Sequence, residues 1–242
     1  MLGLICYRDA GEKNGARMLC GARFHAVYVL RGEGLRAALS AKRAAGELQK
    51  RRVRRAVFPP DYPYAGVFAR RGVLPPEEAP LRMAKSAEII LCAMTQCGLA
   101  PEGARVALVS SQPSAVLETA ALSLVRRVRY LTLCTPCGEH LGRRLRWDHG
   151  VSACVAAPEE TLRANFAAAF DACTCRCGGP VLPLGDGALR VRYGAPLPRE
   201  AASWEMRQLI CALFAAGVLA EEKITVEEVE FPANTGENAN FP

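Results

Sequence analysis

Residues 104–124 read ARVALVSSQPSAVLETAALSL. The aliphatic run Arg105–Val109 has the length and composition of a buried strand. From Pro113 onward the small and aliphatic residues recur at helical spacing, which predicts a helix over 113–125. Between them lies the turn Ser110-Ser111-Gln112-Pro113-Ser114-Ala115. Pro113 suits the first turn of a helix, where its missing N–H costs nothing. Ser111 or Ser114 fits the capping position. The same amides and hydroxyls also suit an anion, since a helix N-terminus carries unpaired N–H groups and the positive end of the dipole.

C-terminal to this stretch the pattern alternates. Strands are expected at 130–134, 151–156, 181–184 and 189–193, the last two joined by a Gly-Asp-Gly turn. Helices are expected at 138–146, 159–172 and 203–219, with a final edge strand at 224–231. Strands that alternate with helices, without room for hairpins, imply a parallel sheet. The last residues, NTGENANFP (234–242), have no periodicity and read as a disordered tail.

N-terminal to it, LGLICY (2–7) and FHAVYVL (24–30) read as strands with a polar loop over 9–17 between them. A helix is expected at 34–50, a strand at 53–58 stopped by Pro59 and Pro60, and a short helix at 64–71. The segment PPEEAP (75–80) is stiff and non-helical, a candidate hinge. A strong helix follows at 81–98, with Gly98 as its C-cap. The domains expected are an N-terminal α/β lobe (1–79), a parallel-sheet lobe (80–233) and the tail.

The order AKSAEIILCAMTQCGL, ARVALVSSQPSAVLETAALSL, VRYLTLCT over residues 80–156 resembles the two-domain dehydrogenases of the shikimate dehydrogenase and glutamyl-tRNA reductase type. The resemblance implies an α/β fold: a Rossmann-like parallel sheet flanked by helices, beside a smaller lobe. It also implies a dinucleotide cofactor, but the glycine motif of such proteins is absent. Only Ala115 stands where a packing glycine would be, and every other turn position carries a side chain. The usual ribose-binding acid is also missing, because Cys134-Thr135 occupies that place. Ser110, Ser111, Ser114, Thr135 and Arg143 (or Arg144) are the residues left to hold a phosphorylated cofactor, which leaves NADP open and argues against NAD. Asp61 and Tyr64, in a loop after a strand of the first lobe, are candidate substrate residues.

Cys134-Thr-Pro-Cys137 with His140 has the spacing of metal ligands or a redox pair, and Cys173-Thr-Cys175-Arg-Cys177 is a second cluster. With a helix over 159–172 the two clusters fall at opposite ends of the sheet and share no metal. The reading therefore favours unligated thiols over zinc. Eleven cysteines in 242 residues with no export signal read as reduced thiols of a cytoplasmic protein. Cys92, Cys97, Cys154 and Cys211 read as core fillers. No apolar run reaches the roughly 18 residues a membrane span needs.

The net charge of +7 is carried almost wholly by arginine and is spread over the first two-thirds of the chain, while the stretch after Ala220 turns acidic. That distribution weighs against a nucleic-acid surface, which concentrates its charge. Lys50-Arg51-Arg52-Val53-Arg54-Arg55 reads as a solvated helix end followed by a strand.

Three functions follow as expectations. The preferred one is a non-catalytic scaffold or interaction protein on a degenerate Rossmann-like fold. The second is an NADP- or other nucleotide-binding, oxidoreductase-like enzyme that takes a small anionic ligand between its lobes. The third is a metal-dependent nucleic-acid binder.

Overall fold

The structure, a computed structural model, describes residues 1–8, 12–136, 138–157, 160–172 and 175–231. Cys137, Cys173 and the 234–242 tail lie outside the described residues. The strands, in chain order, are β1 (Leu2–Tyr7), β2 (Gly15–Leu19), β3 (Ala22–Val29), β4 (Ala56–Val57), β5 (Arg105–Val109), β6 (Tyr130–Cys134), β7 (Cys154–Ala156), β8 (Thr161–Leu162), β9 (Phe166–Ala169), β10 (Arg176–Cys177), β11 (Val181–Pro183), β12 (Arg190–Gly194) and β13 (Thr225–Glu230). The helices are α1 (Leu35–Lys50), α2 (Ala65–Ala69), α3 (Ala79–Ala84), α4 (Ser86–Gln96), α5 (Ala115–Leu124), α6 (Gly138–His149) and α7 (Met206–Ala215).

The chain forms two compact units. Among the described residues, the first comprises Met1–Leu81 and Tyr193–Ile224; the second comprises Arg82–Arg192 and 225–231.

The first unit holds a four-stranded sheet in the order β2-β3-β1-β4. β1 runs parallel to β3 and β4, and β2 pairs antiparallel with β3. The loop expected over 9–17 therefore contains the start of a hairpin strand. GARML carries no β-branched residue to announce it, and the signal lies in the turn instead. Cys20 and Gly21 adopt φ of 50° and 82°, the left-handed pair that tight hairpins need. Helix α1 buries Ala41, Ala44, Ala45 and Leu48 against Ile5, Val27 and Val29 of the sheet. Gly3 leaves room on this face, because a Cβ there would stand 3.3 Å from Leu48 Cδ1 of the helix and 2.9 Å from the Ala56 Cβ of the neighbouring β4.

A polar latch fixes the same helix. The buried His25 Nε2 lies 3.0 Å from Glu47 Oε1, and the Asn14 amide donates to Oε2 of the same carboxylate. Burial works against ionisation of Glu47, but the bonds from His25 and Asn14, with the charge of Arg51, outweigh it and hold the carboxyl below its usual value. A carboxyl lowered on folding stabilises fully above its unfolded value and loses that contribution as pH falls through the folded one. Glu47→Gln is therefore expected to flatten the acid limb of the stability curve between about pH 6 and about pH 3. Thermal melts across that range check it; an unchanged acid limb would remove the latch from the account.

The second unit is built on a five-stranded sheet in the order β11-β9-β5-β6-β7, parallel at every pairing. The chain starts at the central β5, moves outward through β6 to β7, then returns to the other side of β5 for β9 and β11. This is the strand order of a Rossmann-like sheet, with its topological switch point between β5 and β9. Helices α4, α5 and α6 flank it.

One expected helix is absent. Residues 161–162 and 166–169 of the segment assigned to it are the strands β8 and β9. Leu162, Phe166, Ala169 and Phe170 fit a helical stripe, but Phe166–Ala169 is buried on both faces as a central parallel strand, where periodicity carries no information. β8 and β10 form a short parallel ribbon, and Leu162, Cys175 and Cys177 from it pack on Ala107, Val109, Ala167 and Ala169 of the main sheet. The ribbon thus covers a face that a crossover helix would otherwise cover.

Other expectations shift as well. The helix expected over 81–98 is split at Lys85 into α3 and α4. β11 and β12 do not form a hairpin: β11 pairs parallel with β9, while β12 joins a separate ribbon with β13, where Arg192 is ion-paired to Glu228. The proline segment is tied down by Arg55, whose Nη1 donates to the Pro75 carbonyl at 3.0 Å and whose Nη2 pairs with Glu77. No helix among the described residues is long and apolar enough to cross a membrane.

Candidate functional site

In open α/β sheets the ligand crevice lies outside the carboxyl ends of the strands at the switch point. Here that place is bounded by Ser110 and Ser111 after β5 and by Phe170 and Asp171 after β9. The two segments are bound to each other. The Ser111 amide donates to both carboxylate oxygens of Asp171 at 3.0 and 2.9 Å, and the Ser111 hydroxyl donates to Oδ2 at 2.7 Å. The Ser110 Oγ lies 3.0 Å from Asp171 Oδ2 and 2.7 Å from the Gln112 carbonyl. Its single proton serves one of these acceptors at a time. Ser110 is buried, so its hydroxyl depends on these protein partners.

A carboxylate bound by an amide and hydroxyls in the turn of a strand–turn–helix takes the same kinds of bonds as a phosphate oxyanion would. Asp171 supplies that anion from within the chain. Its position is fixed in turn by Gly185, which packs so closely that a Cβ there would lie 2.8 Å from both the Asp171 Cα and the Phe170 carbonyl.

Ser114 sits one step further on, as the N-cap of α5. Its backbone is extended and its Oγ accepts from the Leu117 amide at 3.1 Å. Ser114→Ala is expected to cost about 1 kcal/mol of stability, the usual value of a side-chain cap. Chemical denaturation measures it; no loss would show that the cap carries no weight.

Thr135, after β6, is buried, and its Oγ1 has no hydrogen-bond partner among the described residues. Arg143 is exposed on α6. Its neighbour Arg144 is engaged with Glu118 at 2.9 Å and Asp148 at 3.8 Å. The structure thus joins Ser110 and Ser111 through Asp171, and turns Ser114 toward its own helix.

The cysteines are arranged differently from the expectation. Cys134, Cys175 and Cys177 belong to one buried cluster rather than to opposite ends of the sheet, because the segment expected as a helix before the second cluster holds β8 and β9 instead. Burial first, then the neighbouring Cys177 and Cys134, push the Cys175 thiol up to about 11. Such thiols stay protonated at neutral pH, and it is the thiolate that attacks or ligates. Cys137 lies outside the described residues, and His140 is exposed. Among the described residues no group of three His, Cys, Asp or Glu is placed to hold a metal. Cys211 is buried as expected of a core filler, whereas Cys154 is exposed.

In the first unit Asp61 is exposed, with a left-handed φ of 50°. The Tyr64 hydroxyl accepts from the Gly34 amide at 2.8 Å and donates to the Gly34 carbonyl at 3.2 Å, so it anchors the start of α1. Tyr62 between them is buried against Tyr7, Phe58, Tyr64 and Phe68, and burial pushes its phenol well above the usual value.

No protein-family model matches the sequence, and no curated protein does. Among solved structures the chain is similar to a shikimate dehydrogenase in complex with NADP+, at 10% identity over 70% of this chain and 66% of that one, with a TM-score of 0.30. Shikimate dehydrogenase 1 from Peptoclostridium difficile aligns at 12% identity over 60% of this chain and 55% of that one, with a TM-score of 0.25. Ornithine carbamoyltransferase from Pyrococcus furiosus aligns at 14% identity over 69% and 58%, with a TM-score of 0.27. The chain spans less than two-thirds of the length of each. The Rossmann-like assignment rests on the strand order of the second unit.

Proposed function

We propose that this protein is a non-catalytic one in which the Rossmann-like unit serves as a scaffold, with its phosphate position filled by the protein's own Asp171. The observation that carries the reading is the set of bonds from Ser110 and Ser111 to that carboxylate. A dinucleotide pyrophosphate would compete for the same amide and hydroxyls, and its charge would meet the Asp171 carboxylate at close range. The turn offers no glycine to let a pyrophosphate approach the backbone from another direction.

The thiols fit this reading. Cys6 and Cys175 are both pushed up to about 11 by burial, which leaves them poor nucleophiles at neutral pH.

The reading predicts that NAD, NADP and ATP at about 1 mM leave the melting temperature unchanged, because a ligand that binds only the folded state must raise it. A saturable rise with any of the three would overturn it.

A further inference from the structure

A second place in the molecule has the makings of a ligand site, and it lies wholly within the first unit. A cavity of about 390 Å³ opens at the carboxyl ends of the parallel strands β1 and β3. Its lining includes Cys6, Tyr7, Arg17, Tyr28, Arg31 and Trp204, with Glu12 also in the wall. We propose that this cavity binds a small organic anion, whose carboxylate or phosphate oxygens are held by Arg17 and Arg31 between the walls formed by Tyr7, Tyr28 and Trp204.

The Arg31 guanidinium lies 4.8 Å from the centre of the Tyr7 ring, and that of Arg17 lies 5.4 Å from the centre of the Trp204 ring. A guanidinium against an aromatic face keeps its N–H donors in its own plane, directed sideways rather than into the ring. Two such groups in the lining of one cavity offer planar forks for an oxyanion, the geometry that carboxylates and phosphates accept in pairs.

Arg17 lies near the Cys6 and Tyr28 side chains, and its charge works against the effect of burial on both. Trp204 is itself fixed: its indole N–H donates to the Ile5 carbonyl at 2.8 Å. Burial raises the Cys6 thiol and the Tyr28 phenol, so both stay neutral and add no negative charge against an incoming anion. Glu12 in the wall and Glu200, whose charge acts on Arg17, offset part of the charge of the two arginines, which favours a singly charged ligand over a multiply charged one. The volume falls within the range of small-molecule sites and exceeds the needs of a bare inorganic ion.

The test uses the full chain and its own fluorescence. The only tryptophans are Trp147 and Trp204, and Trp147 is exposed on α6. In a Trp147→Phe background the emission reports Trp204 in the cavity wall. Benzoate and glycerol 3-phosphate represent the carboxylate and phosphate sources. Inorganic phosphate tests for simple ion binding, and benzamide is the neutral counterpart of benzoate. At least one of the two organic anions is expected to change the Trp204 emission saturably with a Kd at or below about 1 mM, and benzamide is not. Arg31→Gln, at an exposed position, is expected to weaken that binding at least about tenfold while leaving the melting temperature in place. The proposal is overturned if neither organic anion gives a saturable response, if inorganic phosphate alone does, if benzamide matches benzoate, or if Arg31→Gln binds as the parent does.

Discussion

Asp171→Ala is expected to lower the stability of the protein by about 2 kcal/mol, the range for hydrogen bonds to an ionised group. The carboxylate accepts from the Ser111 amide with both oxygens and from the Ser111 hydroxyl, and it lies within reach of Ser110. Ser111 is exposed, so water replaces part of what it loses, which keeps the cost near the middle of the range. The buried Ser110 retains the Gln112 carbonyl as an acceptor.

The same substitution leaves the Ser111 amide and the Ser110 and Ser111 hydroxyls, just past the end of β5, without their anion. Added sulfate at about 50 mM should therefore restore part of the lost stability in Asp171→Ala beyond any general salt effect seen in the parent. Paired urea titrations with and without sulfate check both points. Equal stability of parent and variant, or equal responses to sulfate, would remove Asp171 from its assigned place.

Gly179→Ala is expected to have the larger effect on folding, more than about 3 kcal/mol. A Cβ at Gly179 would overlap the backbone carbonyl of Asn165, not the tip of a movable side chain. Asn165 is locked at the entry to β9: its amide donates to the Arg105 carbonyl, and its Oδ1 accepts from the Arg105 amide at 2.8 Å. Relief of the overlap would shift the start of β11 from β9, or β9 from β5. Either displacement reaches the strands that carry Ser110 and Asp171. Gly103→Ala, where an added Cβ meets nothing within 4 Å, is the matched control and should melt near the parent. Similar melting temperatures for the two variants would contradict the packing at β9.

The contrast between β5 and β9 shows what the sequence makes legible. β5 and α5 stand out because an aliphatic run, two serines and a proline give strand, turn and cap at adjacent positions. β9 is FAAA, a composition that favours a helix by propensity and carries no alternation because both faces are buried. Once that strand is taken for a helix, Asp171 becomes a residue at a helix end, and the cysteine clusters separate. Asp171 has no local signature of its own. It lies sixty residues from Ser111, and only the parallel pairing of β9 with β5 brings the two together. Had β9 been placed beside β5, the first acidic residue past its carboxyl end would have marked the switch point. Arg17 and Arg31 escaped for a related reason: the cavity they share is assembled by the β2–β3 hairpin, whose first strand lacks a residue pattern of its own.

The most direct measurement is the backbone amide resonance of Ser111 in a two-dimensional ¹⁵N–¹H spectrum of the full chain, recorded with and without about 1 mM NADP. The account predicts that this resonance moves in Asp171→Asn, because its acceptor has lost charge, and stays in place when NADP is added to the parent. A resonance indifferent to Asp171→Asn that shifts saturably with NADP would show that the amide faces an open nucleotide site, and would contradict a crevice filled by Asp171.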